Sequence, residues 1–368
     1  RIVEIADNEI DNPGQDDIFE KSREELIQNV IPVSYDTKKV YLREIVSPLR
    51  TNKIIMDSID EGVLVLEYAG HGGTQTWADE AIFRIEDAQA LRNKYLPFIL
   101  ATTCLNGQFD KPLQFGQYCL IDQFIFSEYG AVACLSATRL TYGSANAEFD
   151  KEIFPAMLSE NHETLGSIIA TAKTRFISKA STRWIPGAEQ YTLFGDPATR
   201  LAIPELKINV ELKELVVDPN KELVIHRNSI GRSTLNSSGK LDFKIESGFN
   251  TENLKVAASF PASSKTQLLI RERNNITVWQ GEFGDVRIST PRGASFGEGT
   301  VRAIAYNENY TAVGGSRFWI HQPLIYDIRE NMDHLVTNTL DLQAQIVDNK
   351  GLDGIASVKV VWSDTQNF

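Results

Sequence analysis

The sequence predicts an α/β domain built on a mainly parallel sheet covered by helices, followed by an all-β region. The first 200 residues alternate short apolar runs with segments of helical periodicity, which favours βαβ units. Residues 63–68, 97–102 and 130–136 are apolar almost throughout, which is typical of parallel strands buried on both faces. From residue 206 onward we find only short strand patterns, separated by linkers rich in Gly, Asn, Ser and Pro.

The elements of the α/β part follow from apolar spacing and turn residues. A strand is expected where β-branched residues cluster, and a helix where apolar residues recur every three or four positions. In chain order we predict strand 2–6, helix 18–30, strand 39–42, helix 52–60, strand 63–68, helix 85–92, strand 97–102, helix 115–128, strand 130–136, helix 147–158 and helix 164–179.

The pattern changes at Ile203-Pro204, and a second break follows at residues 321–323. Between the breaks we predict a β-sandwich, because short strands recur at regular spacing with turn signals between them. Its strands are expected at 206–212, 222–226, 241–246, 254–260, 267–273, 276–283, 301–306 and 316–320. Two further strand patterns lie beyond the second break, so the predicted domains are 1–204, 205–321 and 322–368, the last a truncated β domain.

Charge and composition exclude several classes of protein. The 368 residues include 49 acidic and 37 basic side chains, and the resulting net charge of −12 disfavours a nucleic-acid partner. No apolar run approaches the roughly 18–20 residues that a membrane-spanning helix needs. Because the chain opens with Arg1 and ends after a strand-like run, we expect an excised fragment, so that the missing targeting segment says nothing about location.

Metal ligands are not apparent at a recognisable spacing. The three cysteines form no CxxC pair, and the five histidines have no ligand spacing, so we expect no cofactor. An acidic stretch near the start could bind a structural Ca²⁺ through clustered carboxylates, with a solvated loop and acids at a helix N-terminus as the stronger alternative. Its members are Asp7, Glu9, Asp11, Asp16 and Asp17.

His71 and Cys104 are the one pair that indicates catalytic chemistry. Each lies just past the carboxyl end of a predicted buried strand, at the sheet edge where ligands and catalytic groups collect in open α/β sheets. An imidazole beside a thiol can remove its proton and generate a nucleophile, and the glycines around His71 let backbone N–H groups approach a reacting oxygen. The alternative is a glycine turn with an incidental histidine, next to a buried cysteine at a strand end.

Other side chains carry weaker signals. Cys119 is predicted inside an amphipathic helix and Cys134 inside a strand, and we interpret both as core thiols. Trp77 follows the glycine loop, where it could line a substrate cleft or pack in the core. His162 is expected in a solvated helix connection.

The chain resembles the gingipain family of cysteine peptidases, which is caspase-like in fold. The similarity rests on a GHGG loop, a cysteine motif and a later segment, in this order and spacing. These are Tyr68-Ala69-Gly70-His71-Gly72-Gly73, then Thr103-Cys104-Leu105-Asn106-Gly107-Gln108-Phe109-Asp110, then Leu193-Phe194-Gly195-Asp196-Pro197-Ala198-Thr199-Arg200-Leu201. The resemblance covers residues 1 to about 204 well and implies a caspase-like α/β domain followed by an Ig-like sandwich.

The resemblance also implies roles for individual residues. Cys104 would be the nucleophile and His71 the general base and acid, while the N–H groups of Gly72 and Cys104 would form the oxyanion hole. Asp7 is our candidate for the carboxylate that orients the histidine. Gly73 and Trp77 are expected at the substrate cleft.

Within the family, the motifs resemble those of PorU-type sortases of the type IX secretion system. This implies protein substrates with C-terminal sorting domains, a lipopolysaccharide amine as acceptor, contacts with type IX components, and a place at the bacterial outer membrane, at the cell surface or outside the cell. Two alternatives stay open at this point: a secreted degradative protease, and a surface adhesion module that binds peptides without cleaving them.

Overall fold

A computed structural model describes two compact units, Arg1–Ile203 and Pro204–Phe368. In the first unit the described residues are 1–8, 17–110, 118–158, 164–179 and 185–203. In the second they are residue 204 and the strands given below, with residues 208, 307 and 308.

The first unit alternates strands and helices as its hydrophobic pattern predicts. Its elements are β1 Ile2–Ala6, α1 Ile18–Asn29, β2 Thr37–Tyr41, α2 Leu42–Ile45, α3 Pro48–Glu61, β3 Val65–Ala69, β4 Thr76–Trp77, β5 Phe83–Arg84, α4 Ile85–Ala90, β6 Phe98–Thr102, α5 Leu120–Phe126, β7 Ala133–Ala137, α6 Gly143–Leu158, α7 Leu165–Lys179, α8 Ile185–Gln190 and β8 Tyr191–Phe194.

Six of these strands form one sheet in the order β2-β1-β3-β6-β7-β8. The first five are parallel, and β8 joins the edge antiparallel to β7. The predicted mainly parallel sheet is therefore confirmed. Strand order reverses at β1, which lies between β2 and β3, and such a reversal opens a crevice at the carboxyl ends of the strands.

The sheet has a hydrophobic core on each face. Because side chains alternate along a strand, Val65, Leu100 and Leu135 pack beneath helices α1, α6 and α7, whereas Leu66 and Ile99 pack on the side of α3, α4 and α5. Burial on both faces accounts for the continuous apolar runs in these strands. The two cores thus support, from both faces of the sheet, the loops at its carboxyl edge.

The structure corrects several predicted boundaries. Helix α3 begins at Pro48, four residues before the predicted start, because the Ser47 side chain caps it by accepting the Arg50 N–H at 3.3 Å. Helix α5 begins only after Cys119, which is its N-cap rather than an interior residue. We did not predict α8 and β8, which are only six and four residues long.

The second unit is all-β in the part that the structure describes. Its strands are β9 Leu206–Lys207, β10 Asn209–Leu212, β11 Val216–Val217, β12 Glu222–His226, β13 Lys240–Glu246, β14 Asn253–Ser259, β15 Ile276–Gly281, β16 Gly284–Ser289, β17 Gly297–Tyr306, β18 Thr311–Ile320, β19 Leu324–Asn331, β20 Asp341–Val347 and β21 Ser357–Val361. The strand predicted at 267–273 lies outside the described residues.

The longest sheet of this unit has the order β11-β18-β17-β14-β15, with β9 also paired to β18. A second sheet has the order β10-β13-β16, and two strand pairs, β12-β21 and β19-β20, complete the described set. The sandwich arrangement and the boundary at residue 321 stay predictions. Among the described helices of the whole chain, none is long and apolar enough to cross a membrane.

Candidate active site

The loops that carry His71 and Cys104 lie against each other at the carboxyl edge of the sheet. Strands β3 and β6 pair in parallel with Ala69 opposite Thr102, so both residues lie two positions beyond a matched pair. A Cβ added at Gly72 would lie 2.4 Å from Thr103 Oγ1 and 2.8 Å from the Cys104 carbonyl oxygen. This approach requires glycine at position 72 and brings the predicted pair to one edge.

Main-chain hydrogen bonds shape the glycine loop into a tight hairpin. The Ala78 N–H donates to the His71 carbonyl at 2.9 Å, and the Gly73 N–H donates to the Thr76 carbonyl at 3.1 Å. From the neighbouring loop, the Thr103 hydroxyl donates to the Gly70 carbonyl at 2.7 Å. The loop around His71 is thus bound both to itself and to the cysteine loop.

Asp7 lies at the end of β1, next to this hairpin, and is buried. Its carboxylate accepts the backbone N–H of His71 at 2.9 Å and that of Asn8 at 2.8 Å. Burial raises the pKa of Asp7 to about 7, although these two N–H donors and the His71 charge act in the opposite direction. Asp7, our candidate for the carboxylate that orients the histidine, therefore bonds to the main chain of His71, and its role in orienting the imidazole stays a prediction.

The buried phenol of Tyr68 lies beside Asp7 and contacts the same hairpin. Its hydroxyl donates to the His71 carbonyl at 2.5 Å and accepts the Ala78 N–H at 2.8 Å. Asp7 Oδ2 lies 3.5 Å from the same oxygen. Burial raises the pKa of Tyr68 well above its usual range, so the phenol stays protonated and can donate.

An aromatic contact reaches the imidazole itself. Phe19 of α1 packs edge-to-face against the His71 ring, with 5.5 Å between the ring centroids. Because α1 is anchored in the core, it limits the positions that the ring can take.

The prediction that Trp77 lines a substrate cleft is wrong. Its side chain is fully buried and stacks on Tyr68 with 4.7 Å between the ring centroids. The indole N–H donates to Asn106 Oδ1 at 2.5 Å. Trp77 packs in the core because the hairpin folds it beneath the glycine loop. Gly73, the other residue that we predicted at the cleft, is half-buried at the edge of the loop.

Asn106 joins the two loops, a role that our sequence reasoning missed. Its amide oxygen accepts the Trp77 indole N–H. Its amide nitrogen donates to the Gly73 carbonyl, and to the Thr76 carbonyl at 3.1 Å. The residue is fully buried. Its place inside the cysteine motif was visible in the sequence, but its partners lie about 30 residues away.

The cysteine loop turns sharply just after Cys104. The Asn106 N–H donates to the Cys104 carbonyl at 2.7 Å, which closes a three-residue turn around Leu105 at φ 60°. A non-glycine residue in this region is uncommon and stores strain, which is often found at functional sites. The turn leaves Cys104 half-buried, and its Sγ accepts the Thr141 N–H at 3.3 Å.

The other two cysteines are core thiols, as we predicted. Cys119 is buried, and burial raises its pKa to about 12; its Sγ accepts the Asp122 N–H at 3.4 Å. Cys134 is fully buried within β7, and its pKa is raised well above the usual range. All three thiols are free, and Cys104 is the one among them with solvent access.

Two backbone donors face the site without an acceptor. Among the residues that the structure describes, neither the Gly72 N–H nor the Cys104 N–H donates to a protein oxygen. Unpaired N–H groups on adjacent loops at a sheet edge are suited to binding an oxyanion.

Metal binding has no support in the described part of the chain, which contains no cluster of three His, Cys, Asp or Glu side chains placed to hold an ion. Of the predicted acidic stretch, Glu9, Asp11 and Asp16 lie outside the described residues, as does His162. The calcium prediction is therefore untested.

Comparisons with known proteins agree with the motif resemblance. A sequence model of peptidase family C25 matches residues 1–202. Gingipain R1 of Porphyromonas gingivalis is 23% identical over 256 residues, covering 66% of this chain and 25% of its own length. Gingipain R2 of Porphyromonas gingivalis is 22% identical over 351 residues, covering 90% and 44%. The chain thus spans less than half the length of these relatives.

Two solved structures are also similar to parts of this chain. The Arg-specific cysteine proteinase gingipain R has a TM-score of 0.45 at 17% identity, with 87% of this chain and 66% of that chain covered. Dimeric latent PorU from Porphyromonas gingivalis has a TM-score of 0.22 at 17% identity, with 55% and 22% covered. Both scores are below 0.5, so the fold assignment rests on the strand order described above.

Proposed function

Because the matching residues make up more than half of it, the chain belongs to peptidase family C25, the gingipain-like cysteine peptidases, and we propose that it cleaves peptide bonds through Cys104 and His71. The observation that carries this proposal is the direct packing of the His71 loop on the loop of the one solvent-accessible cysteine.

In the proposed reaction, His71 takes the proton from Cys104 Sγ, and the thiolate attacks the carbonyl carbon of the scissile peptide bond. The tetrahedral intermediate collapses when His71 returns the proton to the leaving amine, which leaves a thioester on Cys104. Water, or another amine, then loses a proton to His71 as it attacks the thioester carbonyl, and the C–S bond breaks to release the acyl group and return the Cys104 thiolate. Each step conserves protons and forms one bond for each bond broken.

Two features of the site support this sequence of steps. The free N–H groups of Gly72 and Cys104 offer a place for the negative oxygen of the tetrahedral intermediate, and one such donor is typically worth on the order of 10²–10³ in rate. Asp7 accepts the His71 N–H and Tyr68 donates to the His71 carbonyl, so the loop is preorganised before substrate binds.

The finer function that we propose is that of a type IX sortase. It would cut a C-terminal sorting domain from exported protein substrates and pass the acyl group to a lipopolysaccharide amine, at the outer membrane or cell surface and in contact with type IX components. The support is the similarity of the GHGG and cysteine motifs to PorU-type sortases. We further propose that the second unit is an Ig-like sandwich, supported by its all-β described residues.

Selective alkylation tests the catalytic pair. The protein is treated with iodoacetamide at neutral pH, and labelling of each cysteine is followed by mass spectrometry. We expect Cys104 to react first, because Cys119 and Cys134 are buried protonated thiols and serve as internal controls. The His71→Ala variant should slow labelling of Cys104, whereas equal rates for the three thiols in folded protein would refute the proposal.

Peptide cleavage separates the remaining alternatives. In a peptidase, Cys104→Ala should abolish hydrolysis and keep peptide binding. In a binding module, the same substitution should cause no loss of activity. Adding an amine acceptor then distinguishes the two enzymatic hypotheses, a sortase and a degradative protease. A sortase should give increasing amounts of the amide product at the expense of the acid, while a degradative protease should give the acid at every amine concentration.

A further inference from the structure

The segment between β7 and α6 supplies the groups that contact the thiol. Cys104 Sγ accepts the Thr141 N–H at 3.3 Å, its thiol proton donates to the Thr141 carbonyl at 3.5 Å, and the Thr141 hydroxyl lies 3.7 Å from the sulfur. Thr141 is 37 residues from Cys104 in the chain, and all three of its polar atoms lie within hydrogen-bond reach of sulfur. Neither the family motifs nor the catalytic pair involve this residue.

Asn146, on the first turn of α6, fixes the direction of the Thr141 hydroxyl. Its Nδ2 donates to Thr141 Oγ1 at 3.0 Å and to the Thr102 carbonyl at 3.2 Å. A carbonyl can only accept, so the nitrogen of the amide must face it. The same nitrogen therefore donates to Oγ1, and the hydroxyl keeps its own proton for another acceptor.

Cys104 Sγ lies 3.7 Å from Thr141 Oγ1 and can accept that hydroxyl proton. The alternative acceptor is the phenol of Tyr191 in β8, which is fully buried and makes no side-chain hydrogen bond among the described residues. When Cys104 is ionised, the sulfur is the stronger acceptor, because a hydrogen bond to an anion is about twice as strong as one between neutral groups. The hydroxyl and the N–H of one residue then point at the same anion.

We propose that Thr141 is a positioning residue for the Cys104 thiolate, which it holds with its backbone N–H and its hydroxyl, and that Asn146 directs that hydroxyl. The inference rests on the proposed peptidase function. It assigns the thiolate a second source of stabilisation, independent of His71, on the side of the sulfur formed by β7 and α6.

Removal of the hydroxyl alone tests the inference. Thr141→Val preserves the shape of the side chain and the backbone N–H, and Thr141→Ser, which keeps the hydroxyl, is the matched control. For Thr141→Val we expect the pH midpoint of Cys104 alkylation to rise by roughly one unit and kcat to fall roughly tenfold, with KM unchanged. Thr141→Ser should stay within about twofold of the parent protein on both measures.

Asn146→Ala should shift the alkylation midpoint in the same direction, and adding it to Thr141→Val should produce no further shift, since both act through one hydroxyl. Thermal unfolding of each variant shows that it is folded.

The outcomes distinguish this inference from the function on which it rests. If the parent protein labels Cys104 selectively and Thr141→Val keeps the parent's profile, Thr141 has no such role and the catalytic pair stands. An equal fall in kcat in Thr141→Val and Thr141→Ser would also overturn the inference, because the hydroxyl would then be irrelevant. If the parent shows no selective labelling, the catalytic pair and the inference fall together.

Discussion

Two buried polar clusters along β1 and β3 differ in what compensates their carboxylates. The first surrounds Arg23 of α1, which forms ion pairs with Glu67 of β3 and with Asp150 of α6, the latter at 2.6 Å, and lies 3.8 Å from Glu4 of β1. All four side chains are fully buried. The second cluster is that of Asp7, Tyr68 and His71 at the end of the same strands.

The two clusters differ in the groups that compensate the negative charge of the carboxylates. The Arg23 cluster has one cation for three carboxylates, and burial raises the pKa of Glu4 to about 8 and that of Asp150 to about 6 despite the arginine charge. Asp7 is compensated instead by the N–H groups of His71 and Asn8. The first cluster thus binds two helices to the sheet, whereas the second links the protonation of a carboxylate to the loop of the proposed base.

The largest effect is expected from removing the cation. Arg23→Met leaves the buried acids Glu67 and Asp150 without their ion-pair partner, and breaking a buried ion pair typically costs about 3–5 kcal/mol of unfolding free energy. Denaturant unfolding at pH 7 measures it. The loss should shrink at lower pH, where the carboxylates are protonated in both states.

Lys53→Met is the matched control for Arg23→Met. Lys53 pairs with Asp57 on the exposed face of α3, with side chains 73% and 51% exposed, and such pairs contribute less than about 1 kcal/mol. If the Arg23 cluster is purely structural, folded Arg23→Met should label Cys104 at the parent's rate. A large change in that rate would mean that the two clusters are not separate in function.

The contrast also shows what a sequence can predict. The apolar runs identified the parallel strands, and the rule that ligands collect at strand ends placed His71 and Cys104 at one edge, because both facts depend on local pattern alone. Glu4 and Glu67 carried a local signal as well, since each is an acid inside a run that is otherwise apolar. Such an acid must find a buried partner, although the pattern does not reveal which one.

Partners distant in sequence could not be predicted. Arg23 meets Asp150 across 127 residues, and Thr141 meets Cys104 across 37, through packing that one sequence does not encode locally. Strand β8 was missed because four residues before a glycine turn are too short for a periodic pattern. Trp77 was placed in a cleft because a tryptophan after a loop has the same appearance in sequence whether it faces solvent or the core.

The next effect, which has a distinct pH dependence, is expected at Asp7. Its pKa is about 7 in the folded protein, against an ordinary value of 3.8, so the folded state binds more protons than the unfolded state between these values. Unfolding free energy therefore falls as pH rises through this window, by at most about 1.4 kcal/mol per pH unit. Above pH 7 the cost of burying the ionised carboxylate is fully present.

Asp7→Asn removes this titration and keeps an oxygen that accepts the His71 N–H. We expect the variant and the parent to have similar stability below about pH 4, where Asp7 is protonated in both states, and the variant to gain relative stability as pH rises to about 7. Unfolding by denaturant at several pH values measures the difference. A constant difference across that range would show that Asp7 does not titrate there, and that its compensation resembles that of the Arg23 cluster.

The smallest effect is expected at Tyr68, because its hydrogen bonds are partly redundant. Tyr68→Phe removes the donor to the His71 carbonyl, but the Ala78 N–H also donates to that carbonyl at 2.9 Å, so neither group is left unpaired. The loss of unfolding free energy should be about 1 kcal/mol, the usual net value of one hydrogen bond. A loss as large as that of Arg23→Met would mean that the phenol, rather than Asp7, holds the His71 loop in place.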